Sequence, residues 1–258
     1  MSHQQESISD LSLGRNLVNQ LERWANELAA PILPPREVED GNQVRLEFRE
    51  HLPHTVMIGK SIRAVSGIRA ALILCDLGYC AECAALLRIV SDFCTEIKAI
   101  GAALNRCGEL PAAVQTFVEQ YFSSRPHTPE QYFEAERTRY ISREELMKAD
   151  LRMAESAGVD GEKMRKYHRF LNMIYDAYVH GSYETTMELY DPVTGGFTMS
   201  GYASASKREE FVEALLLKLH EVVHALELTA AVTANESVFN EAREARRSMD
   251  ARKLWKRS

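Results

Sequence analysis

The sequence predicts a mostly α helical bundle with one inserted β-hairpin near residues 185–200. Apolar residues recur at three- and four-residue spacing along most of its 258 positions. Proline and glycine punctuate those runs at intervals suited to helix ends. Only near 185–200 does the apolar period fall to that of paired strands. Apolar content of 45% and charged content of 26% are those of a globular chain with a sizeable core.

Leu17, Leu21, Trp24 and Leu28 share one face of a helix over 11–29, which Pro31, Pro34 and Pro35 end; residues 31–42 read as a linker. A helical pattern then runs 43–76, with a break expected at Pro53 because proline cannot donate to the preceding turn. Gly78 separates it from a helix over 79–106. Shorter helices follow at 112–122, 129–137 and 142–157, the last opened by Ser142 and Glu145 in capping-box spacing. Gly158 and Gly161 turn the chain into a helix over 162–180. Thr185–Tyr190 and Phe197–Ser200 read as strands around Asp191-Pro-Val-Thr-Gly-Gly196. Helices over 206–233 and 236–255 complete one domain of 1–258: N-terminal helix and linker 1–42, bundle 43–180, hairpin 184–201 and C-terminal helices 206–258.

The net charge of −6 is unevenly spread, since Arg243–Ser258 holds seven basic residues against Glu244 and Asp250. Such a tail suits either the negative pole of a helix or a phosphate backbone. Five cysteines, confined to positions 75–107, do not suggest a disulfide framework. No apolar run approaches a membrane span, and MSHQQESISD has no signal-peptide pattern. The expectation is a reduced, cytoplasmic protein without membrane contact.

Four groups of residues carry candidate chemistry. On the helix 79–106, Leu86, Val90, Phe93, Ile97, Ile100 and Leu104 form the core stripe, while Arg88, Asp92 and Glu96 form a second line at i, i+4, i+8. Ala81, Ala85, Ala99 and Ala103 flank that line, so another helix is expected to cover it and create a polar site inside the bundle. The simpler reading is a pair of surface ion pairs worth a few tenths of a kcal/mol each. His180 stands where the helix 162–180 meets Gly181, free either to exchange a proton or to complement the helix dipole.

His220-Glu221-Val-Val-His224 is a literal HExxH, which on a helix can hold zinc and activate water, with Glu244 available as a third ligand. The apolar stripe Val212, Leu216, Leu219, Val223 and Leu226 instead favours a packing helix there, and no metal or cofactor is expected. Cys80 and Cys83 form a CxxC, and Cys75, Cys94 and Cys107 read as small apolar residues in helices.

The helix Ala84–Glu96 (AALLRIVSDFCTE) followed by Tyr175–Tyr183 (YDAYVHGSY) and a hairpin resembles a bacterial group related to HEPN domains, over about Arg63–Tyr202. Those are helical bundles found in toxin–antitoxin and phage-defence systems. Active members are metal-independent ribonucleases whose arginine and histidine, four to six residues apart, meet across a dimer interface. The resemblance therefore implies an RNA or nucleotide ligand, an antitoxin or other protein partner, and a homodimer. His180 takes the family histidine's place, but the residue five before it is Tyr175, and the next arginine upstream is Arg169. Arg49-Glu-His-Leu-Pro-His54 has the literal spacing with Pro53 inside it. On this reading His180 is the general acid or base, Arg88 stabilises the developing charge, Asp92 or Glu96 orients Arg88, and Tyr183 contacts phosphate. The alternative is a non-catalytic helical interaction module in which the Arg88 line is structural.

Overall fold

The computed structural model describes residues 3–40, 43–107, 110–123, 160–199 and 205–252, together with Lys148, Leu151, Glu155 and Gly158. The helix expected at 129–137 and the end of the basic tail lie outside them; within the helix expected at 142–157, Lys148, Leu151 and Glu155 are described and are helical. The chain is a mostly α bundle with an inserted hairpin, as its periodicity predicts. We label the elements α1 (His3–Ala29), β1 (Arg36–Asp40), β2 (Gln43–Glu47), α2 (Pro53–Asp76), α3 (Cys80–Cys107), α4 (Ala112–Phe122), α5 (Gly161–Val179), α6 (Tyr183–Met187), β3 (Tyr190–Asp191), β4 (Gly196–Phe197), α7 (Ala205–Val232) and α8 (Glu236–Arg252).

The helix expected from residue 43 begins instead at Pro53, whose fixed φ and missing N–H suit the first helical position. Residues 43–47 pair antiparallel with 36–40, Val38 opposite Arg45, so the expected linker holds a second hairpin. QVRLE alternates polar and apolar residues and follows Gly41-Asn42, a dipeptide favoured between paired strands. In five residues that alternation cannot be told from a fragment of a helical period.

α2 and α3 pack along their length, joined at a corner where Gly78 takes φ +86° and the Tyr79 amide donates to Leu74 O. α7 lies against α1, α2 and α3, and α8 folds back on α7. The shared core draws Leu21, Trp24 and Leu28 from α1, Met57 and Ile68 from α2, Leu87 and Ile97 from α3, and Leu215 and Leu219 from α7. The Trp24 indole donates to Glu241 of α8 at 3.0 Å, satisfying its N–H at the edge of that core.

The expected strand at 185–190 is largely replaced by α6. Ser182 Oγ accepts the Thr185 amide at the N-cap, and the buried Thr185 hydroxyl donates to Ala177 O, 3.2 Å away. Those bonds override the β-preference of Thr185-Thr186. The remaining hairpin is short, Tyr190 opposite Phe197, with Asp191 accepting from the Val193 amide and the Thr194 hydroxyl in its turn.

Candidate functional site

α5 carries most of the candidate chemistry. Asp160 caps it, accepting the amides of Glu162 and Lys163 at 3.0 and 3.1 Å. Gly181, at φ +60°, ends it: the Ser182 amide donates to Ala177 O at 2.9 Å in a Schellman closure that leaves His180 as the exposed cap residue.

The inner side of α5 is anchored near its C-terminus. Tyr175 is buried, with the Lys218 ammonium of α7 5.6 Å from its ring centroid. The Tyr178 ring meets Phe211 edge-on, and its hydroxyl lies 3.1 Å from both oxygens of Glu188, which also pairs with Lys207 at 2.8 Å. Burial, then the nearby Glu188 charge, raises the Tyr178 phenol to about 12, so it stays a hydrogen-bond donor.

Arg88 makes the third anchor. Its Nε donates to Asp176 of α5 at 2.7 Å, and its NH1 lies 2.5 Å from Asp92 on α3. Burial works to lower the guanidinium pKa, but the two carboxylates outweigh it and the net shift is upward. The covering helix inferred from the flanking alanines is thus present, and Ala99 and Ala103 are buried.

The line expected from Arg88 through Asp92 to Glu96 divides. Asp92 does hold Arg88, but Glu96 turns to Lys60 of α2 at 2.7 Å. The Lys60 ammonium stands 5.2–5.6 Å from the centroids of Phe93, Phe117 and Tyr121, which gives Glu96 a cation in a less hydrated setting than a surface arginine would. Glu96 therefore helps join α2 and α3 and is not the orienter of Arg88.

The outer side of α5 is different in kind. Lys163, Arg165, Lys166 and Arg169 are exposed; Glu162 bonds Lys166 at 2.9 Å and the capping Asp160 lies 3.9 Å from Lys163. Asp176, the other acid on the helix, is held by Arg88. At 100° per residue, Arg165, Arg169, Asp176 and His180 fall on one line along the axis. Phe170 and Met173 are exposed beside it, and Tyr183, just past the corner, is 76% exposed. These cations are readable in the sequence as the stretch KMRKYHR, Lys163–Arg169.

The HExxH residues lie in a buried polar seam between α3, α7 and α8. Glu221 bonds Lys218, a fully buried cation, at 2.8 Å, and His220 Nε2 approaches Asp250 at 3.5 Å. Burial first, then the charges of Lys98 and Arg246, lowers His224 to about 3; His220 is lowered too, chiefly by burial. A zinc ion would meet Lys98, Lys218 and Arg246 there. Glu244 is exposed on α8. Among the described residues no three His, Cys, Asp or Glu side chains are placed to hold a metal. Comparison with family models, curated proteins and solved structures returns no significant match for this chain.

Proposed function

We propose that this protein is an RNA-interacting helical protein of HEPN-like, toxin or phage-defence type, with the outer side of α5 as its contact face. The observation that carries this is the group of exposed cations Arg165, Lys166 and Arg169 on one side of α5, with Glu162 bonded to Lys166, in a row that leads to His180 and Tyr183. Such a row matches the spacing of phosphates along a strand, and the exposed rings of Phe170 and Tyr183 offer faces on which bases stack.

In a cleaving version of this reading, His180 is the general acid or base, the RNA 2′-hydroxyl is the nucleophile and Tyr183 contacts phosphate. Arg88, held by Asp92 and Asp176, is a positioning residue that fixes the helix one turn before His180. A second copy of the chain would bring two such faces together, as the resemblance implies.

Anisotropy of a labelled single-stranded RNA, titrated at several salt concentrations, tests the binding. Arg165→Ala with Arg169→Ala removes two phosphate contacts, so the slope of log K against log salt is expected to fall by about 1.4. Absence of binding at low salt, or an unchanged slope, rejects the contact face. Cleavage of total RNA that resists EDTA and disappears in His180→Ala supports the catalytic version. Binding without cleavage supports the second reading, a non-catalytic interaction module, which the double carboxylate hold on Arg88 favours.

A further inference from the structure

The corner between α2 and α3 gathers three of the chain's cysteines. Cys75 lies in the last turn of α2, Cys80 opens α3 and Cys83 follows one turn on; all three are buried. Gly78 makes the gathering possible: its amide donates to Cys75 O at 3.1 Å and its carbonyl accepts the Cys80 amide at 3.0 Å, folding the two helix ends toward each other. The Cys75 thiol is in hydrogen-bonding contact with those of both Cys80 and Cys83. Cys75 is thus the shared partner of two other buried thiols.

The cluster also has an opening. A cleft of about 500 Å³ lies between this corner and the β3–β4 hairpin, with Cys80 in its lining. Tyr79, Met187, Tyr190 and Met199 supply largely apolar walls, and Lys207 lies at its edge. Cys80 keeps 6% of its surface exposed at this cleft, whereas Cys75 is fully buried.

We propose that Cys75 and Cys80 form a reversible thiol–disulfide site, oxidised by low-molecular-weight disulfides that enter through this cleft. The Cys80 sulfur attacks one sulfur of the incoming disulfide; the first small thiol leaves with the bonding electron pair and takes up the Cys80 proton. The Cys75 sulfur then attacks Cys80, and the second small thiol leaves with the Cys75 proton. The protein loses two electrons and two protons, and the small disulfide gains both.

The surroundings set the pace. The hydrogen bond to Cys75, then burial, raises the Cys80 thiol; Glu188 adds to this and Arg208 opposes it. The bond to Cys80 would lower Cys75, but Cys83, burial and Asp76 outweigh it and carry Cys75 to about 12. Both thiols are therefore protonated near neutrality, which slows their attack on a disulfide.

The test incubates the native, full-length protein with oxidised glutathione, blocks remaining thiols with an alkylating agent and reads intact mass and a peptide map. The expected product has lost two hydrogen atoms, carries a Cys75–Cys80 link and is restored by dithiothreitol. Cys83→Ser should give the same link, while Cys75→Ser should stop at one glutathione adduct on Cys80. No loss of hydrogen in the wild-type protein, or a link that omits either Cys75 or Cys80, overturns the proposal. The wild-type map decides the matter even where a variant fails to fold.

Discussion

Arg88 and Asp176, 88 positions apart, are joined by a 2.7 Å bond from Nε to Oδ1, and this bond ties α5 to α3. Three side chains in the last turn and a half of α5 (Tyr175, Asp176 and Tyr178) each reach a different partner. The helix end that presents His180 is thereby fixed in both tilt and rotation.

Removing that bond should loosen the end of α5 before the rest of the bundle. Arg88→Ala is expected to cost about 2 kcal/mol, because it leaves two carboxylates without their cation in a half-buried site. A cycle with Asp176→Ala should show about 1 kcal/mol of coupling. Urea titration and amide exchange over 171–180 check both values.

The buried pair Lys218–Glu221 should be more sensitive. Glu221→Ala removes the carboxylate bonded to a fully buried ammonium and is expected to destabilise by about 3 kcal/mol. Replacing both residues with leucine should recover much of that loss. If Glu221→Ala alone leaves the urea midpoint unchanged, the pair has no such role.

Stability should fall on mild acidification. His224 is lowered to about 3 in the fold, against about 6.5 in the unfolded chain. Between those values the unfolded chain binds a proton that the fold refuses. The stabilisation is therefore complete above pH about 6.5 and lost as pH falls, at about 1.4 kcal/mol per pH unit once well below it. Urea midpoints at pH 7, 6 and 5 test this, and His224→Gln should flatten the dependence.

Ala234 closes α7 at φ +53°, a conformation that opposes its Cβ. Ala234→Gly should raise stability by about 0.5–1 kcal/mol, the relief of that strain exceeding glycine's greater unfolded-state entropy. A thermal melt that shifts downward would contradict this.

How far the sequence revealed these features depends on the range of the interactions. The bundle was legible because residues such as Leu17, Leu21, Trp24 and Leu28 recur at helical spacing, and burial follows that spacing. Asp92 was legible as the partner of Arg88 because i, i+4 neighbours must meet on a helix. Asp176 was not, since nothing local marks a contact across 88 positions. Of the two carboxylates that could orient Arg88, Glu96 pairs instead with Lys60, a cation from another helix that no local spacing marks. Lys218 does carry a local signal: it sits within Leu215-Leu-Leu-Lys-Leu219, where a lysine needs a buried partner. The β1–β2 hairpin was missed because five alternating residues are too few to establish a period.

The extent of α5 gives the proposed contact face a length. At a rise of 1.5 Å per residue, the backbone from Arg165 to His180 spans roughly 22 Å. An oligonucleotide that engages both ends at once must stretch at least that far, so affinity should climb with strand length and level off once the span is bridged. Inserting a single residue between Arg169 and Asp176 would turn the upstream cations by about 100° away from His180 while leaving the anchored end in place. The helix would then act as a ruler with its markings rotated out of line.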